Sequence, residues 1–375
     1  MSRAEIAIAT SFSVAGTSDP RPAACGLLKW CFSASQLATA PFLSGRAEVV
    51  VFTEAPTHEA LSECHPAALL RVVPYGRALR RIVGRWSLAA NRSGLMRGRM
   101  ASRRFSEQAL LKWEALRHTE YNCIFLTDPD VDLFFDFAGQ LPPTGSRHLH
   151  HLRRAWTAQL ARFRSSAAQL VASVDGASPI NAGVLMLKPS VATYDRGIRV
   201  LDTLRWHVVH GFNGTGSPRD ALRGPLRLQR VEQAFNRTSL LTLNHWGIPG
   251  GDADQGLLIY VFLVLERAVG FRLAGLRYST RANGDALEGQ PCSGTDCGPV
   301  LRHFWAGDKP WRAGATCLRY FDFLNATGFR TIARKRSRCL DLFERKRSAL
   351  LRARQRNRER FEMRAACRGR PQLVF

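Results

Sequence analysis

Three carboxylates stand at alternate positions in Thr127-Asp-Pro-Asp-Val-Asp132. They follow Cys123 to Leu126, four mostly apolar residues that read as a short buried strand. Alternate residues of an extended chain face the same side, so Asp128, Asp130 and Asp132 can present their oxygens to one point. Acids held that close repel each other unless a cation neutralises them. Hard divalent ions such as Mg²⁺ and Mn²⁺ prefer oxygen ligands and often complete their shell with substrate phosphates. A D-x-D triplet by itself is most often a polar loop capping a strand. An EF-hand loop starting at Asp128 would need Gly at its sixth position and Glu at its twelfth, which are Leu133 and Gly139 here, so that reading fails. A phosphatase of the haloacid-dehalogenase type would use Asp128 as nucleophile and Thr or Val at 132; Asp132 weakens that match.

Other residues with chemical potential are scattered along the chain. Asn181-Ala-Gly183 precedes an apolar strand, Val184 to Leu187, which stops before Pro189; small residues there allow a ligand close to the backbone. Asp254-Gln255 opens an apolar helix expected over Leu257 to Leu265, where an acid is also an ordinary helix-start residue. His303 ends a strand, Val300 to His303, and Phe304-Trp-Ala-Gly-Asp-Lys-Pro-Trp311 follows; a histidine and a Gly/Lys loop can supply a metal ligand and a phosphate-binding cation.

These groups need a scaffold. Glu5 to Thr10 reads as a first strand, Cys25 to Gln36 as a helix, Ala47 to Thr53 as a β-branched central strand and Leu69 to Val73 as another. That alternation points to βαβ units and a parallel sheet. Residues 71–104 carry ten Arg and no acid, with little periodic pattern, and read as a surface insertion. An amphipathic helix is expected over Phe105 to Leu116, with Leu110, Leu111, Trp113 and Leu116 on its stripe and Lys112 off it. Gln140 to His150 reads as a loop, Leu152 to Phe163 as a helix and Gln169 to Val174 as a strand. Val191 to Val209 reads as a helix, Gly211 to Pro225 as a flexible loop and Leu273 to Tyr278 as a strand. From Arg330 the chain is basic, with a helical or disordered tail over Leu340 to Ala366.

The whole chain bounds the answer. Its 375 residues can bury one large core or two modest ones, and 45% hydrophobic content is ordinary for a globular protein. No apolar run reaches about 18 residues, so no membrane span is expected. The net charge is +24; residues 330–370, with 16 Lys/Arg against 4 Asp/Glu, supply half of it. Such blocks attract polyanions, and a polyanion partner through the basic tail is one expectation; an arginine-rich solvated surface is the other. The nine cysteines leave at least one unpaired, and Cys292 with Cys297 can form a disulfide. Met1 to Thr10 lacks a signal-peptide pattern, which reads as cytoplasmic. Sequons at Asn91, Asn213, Asn236 and Asn325 hint instead at a secretory or Golgi lumen.

Taken together, the D-x-D at 128–130, Asn181-Ala-Gly183, Asp254-Gln255 and His303…Lys309-Pro-Trp311 resemble, in order and approximate spacing, the family 8 glycosyltransferases. This is the family of glycogenin, galactinol synthase and bacterial lipopolysaccharide glycosyltransferases. The resemblance spans roughly residues 4–325. It implies a GT-A fold, an α/β nucleotide-diphospho-sugar transferase fold with a mostly parallel central sheet flanked by helices. The expected domain covers residues 1–328, with the basic tail over 329–375. It also implies a Mn²⁺-dependent (or Mg²⁺-dependent), retaining transfer of a hexose from a UDP-sugar to a carbohydrate or protein acceptor. Asp128, Asp130 and His303 would hold the metal. Thr10 and Ser11 would meet uridine, and Asn181, Ala182 and Gly183 would line the sugar pocket. Lys112, Asp254 and Gln255 would stand at the reacting centre, with Gly307 and Lys309 at the diphosphate. Ala306 stands where the family usually has Gly. A non-catalytic chain of this fold that binds polyanions is the alternative.

Overall fold

The computed structural model describes residues 4–13, 20–64, 70–92, 109–134, 141–172, 180–203, 206–207, 211–212, 254–266, 269–270, 278–279, 300–303 and 336–367. Its centre is a seven-stranded sheet. The strands are β1 (Ile6–Ser11), β2 (Ala47–Thr53), β3 (Arg71–Pro74), β4 (Cys123–Thr127), β6 (Leu170–Ala172), β7 (Val184–Leu187) and β10 (Val269–Gly270), in the order β10-β6-β7-β4-β1-β2-β3. β7 is antiparallel to both its neighbours, and the other pairings are parallel. This is a mixed α/β fold around a mostly parallel sheet, as the alternation of elements predicted.

Strict alternation divides the sheet's side chains between two cores. Ile6, Ile8, Val49, Val51, Cys123 and Phe125 face one side. Ala7, Ala9, Val50, Phe52, Ile124 and Leu126 face the other. A strand buried on both faces must be apolar at every position, hence the continuous Ile-Ala-Ile-Ala and Val-Val-Val-Phe runs. The first side is covered by α1 (Pro20–Thr39), α2 (Ala55–Cys64), α4 (Arg147–Ser165) and the start of α7 (Arg336–Cys367). The second is covered by α3 (Arg77–Arg92), a 3-10 turn (Leu111–Arg117), α5 (Val191–Thr203) and α6 (Asp254–Leu258), which runs on as a π-helix over Ile259–Leu265.

A small three-stranded sheet stands beside the large one: β11 (Tyr278–Ser279), β12 (Leu301–His303) and β5 (Val131–Asp132). β8 (Trp206–His207) and β9 (Gly211–Phe212) form a separate antiparallel pair. Among the described residues no helix is long and apolar enough to cross a membrane.

Several local expectations change. The arginine-rich stretch 71–104, read as an insertion without pattern, begins with the edge strand β3 and continues as α3, whose Leu79, Ile82, Val83 and Trp86 are buried. The arginines hide the period, because Arg77, Arg80, Arg81 and Arg85 occupy the solvent side of a helix whose other side is apolar. The strand expected from Leu69 is displaced to Arg71–Pro74, where Val72 pairs Val51. The helix expected over Phe105 to Leu116 is tightened to 3-10 geometry over its last turns, and residues 105–108 lie outside the described set. α4 starts at Arg147, inside the expected loop, because the Ser146 hydroxyl accepts the Leu149 N–H as an N-cap. α5 ends at Thr203, short of Val209, and β8 follows.

The C-terminal helix is not merely a tail over its first turns. Leu342 and Phe343 are buried in the first core, and a Cys64–Cys339 disulfide ties α7 to α2. Cys25 is disulfide-bonded as well. Cys292 and Cys297 lie outside the described residues, while Cys31 and Cys123 are free and buried.

Candidate metal and donor site

The acidic stretch leaves the main sheet at Thr127 and turns at once. The Val131 N–H donates to the Asp128 carbonyl at 3.1 Å, closing a four-residue turn with Pro129 second, the position its fixed φ suits. The chain then enters β5, which pairs antiparallel with β12: Val131 opposes His303 and Asp132 opposes Arg302. Two backbone partners at this point join regions far apart in the chain. The His303 Nε2 lies 3.5 Å from Asp130 Oδ1. One ligand atom each from Asp128, Asp130 and His303 lie within 4.8 Å of one another. Asp130 and His303 are buried and Asp128 is half-buried.

These three residues fit a divalent ion. With metal–oxygen bonds of about 2.1 Å in octahedral geometry, neighbouring ligand atoms stand about 3 Å apart and opposed ones about 4.2 Å. The His303–Asp130 separation of 3.5 Å falls in that range, and the 4.8 Å limit of the cluster lies just outside it, so small side-chain shifts would close it on an ion. Two carboxylates and one imidazole suit Mn²⁺ and Mg²⁺ through oxygen and accept a borderline ion through nitrogen. Three such ligands would leave positions open for further oxygens.

Asp132 does not join them. Its carboxylate is paired with Lys29 Nζ of α1 at 2.7 Å, with both side chains largely buried. The expectation that all three acids converge is therefore corrected to two, because Lys29 of α1 takes the third.

β7 carries the small-residue patch. The Asp128 N–H donates to the Gly183 carbonyl at 2.9 Å, continuing the β4–β7 ladder to Asp128. Asn181 Oδ1 accepts the Gly183 N–H at 2.7 Å and locks the approach to β7. Asn181 and Ala182 are buried beside it. A side chain at 183 would collide with the imidazole of His303.

Lys112, on the 3-10 turn, reaches in from the second helix layer. Its Nζ lies 2.7 Å from Asp128 Oδ1 and 2.9 Å from Asp254 Oδ2, and donates to the Ala182 carbonyl at 3.2 Å. Burial opposes its charge, but Asp128 and Asp254 outweigh burial and hold the ammonium's pKa above the ordinary lysine value. Asp254 shows the opposite balance. Burial raises its carboxyl above the usual range, Lys112 pulls it down and Asp128 pushes it up again. An ion pair with one cation shared by two acids explains both directions. Behind the pair lies an apolar wall that includes Trp113, Leu126, Leu185 and Leu257. Gln255, next on α6, is buried beside Asp254.

Thr10 and Ser11 are placed differently from the rest. The Thr10 hydroxyl donates to the Thr127 carbonyl at 2.7 Å, and the Ser11 hydroxyl is bonded to the Tyr75 hydroxyl at 2.9 Å. Both side chains are buried within the fold and neither joins the cluster. Gly307 and Lys309 lie outside the described residues. Three residues near the site carry no local signal in the sequence: Lys29 and Trp30 of α1, and Thr127, whose hydroxyl accepts the Trp30 indole N–H at 2.7 Å.

No protein-family model matches this chain, and no curated protein does. Among solved structures it is similar to mouse xyloside xylosyltransferase 1 in its apo form. The TM-score is 0.38 at 11% identity, over 82% of this chain and 99% of that one.

Proposed function

We propose that this chain is a retaining glycosyltransferase that moves a hexose from a UDP-sugar to a carbohydrate or protein acceptor, with Mn²⁺ or Mg²⁺ held by Asp128, Asp130 and His303. The observation that carries this reading is the convergence of those three residues from the turn after β4 and from β12, with the Lys112–Asp254 pair against the Asp128 carboxylate.

Breaking a bond to a nucleoside diphosphate leaves negative charge on the departing phosphate oxygen. A divalent ion in the cluster supplies the electrostatic stabilisation that this charge requires. The chain's own residues do the rest. Asp128, Asp130 and His303 present two oxygens and a nitrogen, fixed by the turn and the β5–β12 pairing. Gly183 keeps the space over the imidazole clear. Lys112 fixes the direction of Asp128 and Asp254 together, and Asp254 and Gln255 face the sugar. Lys309 is assigned to the diphosphate from the resemblance.

In the proposed step the bond from the anomeric carbon to the UDP oxygen breaks and a bond to the acceptor oxygen forms on the same face. The acceptor's proton passes to the departing phosphate oxygen. Asp254 is engaged by Lys112, which favours this front-face course over attack by Asp254. Trapping of a covalent sugar on Asp254 would overturn it.

The test is UDP-sugar hydrolysis by the purified chain across a panel of donors, with Mn²⁺, with Mg²⁺ and after chelation. One donor is expected to be hydrolysed only with metal, and Asp130→Asn is expected to lower the rate on the order of 10²-fold. Absence of metal-dependent hydrolysis for every donor, with UDP also failing to bind, rules the reading out.

A further inference from the structure

Two adjacent residues of α1 hold the two ends of the cation turn. Trp30, almost wholly buried, donates its indole N–H to the hydroxyl of Thr127, the residue before the first ligand. Lys29 pairs with Asp132, two residues after the last carboxylate ligand, at 2.7 Å. Thr10 of β1 adds a third tie through the Thr127 carbonyl. Between these anchors stand only Asp128, Pro129, Asp130 and Val131.

The arrangement answers a problem that the sequence creates. Three acids at alternate positions would all be attracted to one cation. A third carboxylate would raise the negative charge of the site and fill a position that a diphosphate oxygen needs. We infer that Lys29 and Trp30 are positioning residues of the cation turn: Trp30 fixes its entry, and Lys29 keeps Asp132 out of the coordination sphere, so that the site offers two carboxylates and an imidazole and stays open to diphosphate. This rests on the proposed metal-dependent transfer and adds a determinant of donor binding to it.

The inference makes an unusual prediction. A lysine that only supported the fold would, when lost, loosen the turn and weaken metal binding. A lysine that diverts an acid does the reverse: its loss adds the Asp132 charge to the site, tightens the bare metal and weakens the metal–diphosphate complex.

The measurement uses the full chain with two probes. Mn²⁺ alone is titrated by electron paramagnetic resonance of the free ion, and UDP is titrated at saturating Mn²⁺; melting curves monitor folding. Lys29→Met is expected to tighten Mn²⁺ several-fold and to weaken UDP about tenfold. Lys29→Arg should keep both constants near the unaltered values. Lys29→Met combined with Asp132→Leu removes charge and diverted acid together and should restore both constants, since a buried ion pair can be exchanged for an apolar pair. If Lys29→Met does not fold, Lys29→Gln, which keeps a hydrogen-bond donor without the charge, is expected to show the same pair of opposite changes. Weaker or unchanged Mn²⁺ binding in the Met or Gln variant overturns the inference, as does failure of the double variant to restore UDP. Failure of the unaltered chain to bind UDP with either Mn²⁺ or Mg²⁺ sinks the transfer reading and this one with it; normal Mn²⁺ and UDP binding by Lys29→Met and Lys29→Gln sinks only this one.

Discussion

Gly183 lies directly under the imidazole of His303. A Cβ placed at 183 would overlap Cε1, stand 2.7 Å from Nε2 and lie 2.9 Å from the Asn181 amide oxygen. The glycine is required for space beneath the His303 ring rather than for an unusual backbone, and a methyl group there must move either the ring or β7. Gly183→Ala is therefore expected to weaken Mn²⁺ binding at least tenfold. Calorimetric titration of Mn²⁺ checks it, and an unchanged affinity would mean that His303 is not a ligand.

Lys112 is the cation that keeps Asp128 and Asp254 compatible. Lys112→Met leaves two acids facing each other in a largely buried place. Removing one partner of a buried ion pair costs about 3 kcal/mol, so metal-free stability in denaturant should fall by that order. Asp254→Asn in the same chain is expected to recover most of the stability. On the proposed reading donor turnover should stay depressed in both, on the order of 10²-fold, because the cation shared by Asp128 and Asp254 is gone.

The Cys64–Cys339 disulfide closes a loop of 275 residues. Cross-links over long loops stabilise by limiting the unfolded chain, typically by about 2–4 kcal/mol. Replacing both cysteines by serine should lower unfolding stability by that amount while leaving Mn²⁺ affinity unchanged, since among the described residues α7 packs chiefly on α1 and α2. A loss of metal affinity in this variant would show that α7 braces the cation turn through α1.

Tyr194, buried on α5, has its hydroxyl pKa pushed up to about 12 by burial, with Glu114 adding to the rise and Arg117 opposing it. The folded state holds this proton more tightly than the unfolded chain, whose tyrosines titrate near 10. Stability from this group is complete below about pH 10 and is lost as pH rises through 12. Tyr194→Phe should flatten that part of the curve. Chemical denaturation between pH 9 and 12 measures it, and an identical slope in the variant would remove Tyr194 from the account.

Much of this protein is written locally in its chain. A central strand buried on both faces has to be apolar throughout, so β1, β2, β4 and β7 were legible to within a residue or two. The acidic stretch after β4, the small residues before β7 and the acid opening α6 stood out for the same reason: each breaks an apolar pattern where a strand or helix begins or ends. Arg77–Arg92 was obscured because four solvent-facing arginines interleave with the four apolar residues that seat it.

What pairs with what was decided only in three dimensions. A carboxylate's partners depend on which distant strand or helix arrives beside it, and neither β12 against β5 nor α1 against the turn leaves a mark in local spacing. So Asp130 meets His303, while Asp132, spelled identically and two residues on, is taken by Lys29. The same holds for Lys112, a residue off its helix's apolar stripe that becomes the shared counter-ion of Asp128 and Asp254 once the 3-10 turn and α6 pack on one face of the sheet. Short-range sterics and hydrophobic period set the elements; long-range packing chose which charges would neutralise one another and which would be left to face a ligand.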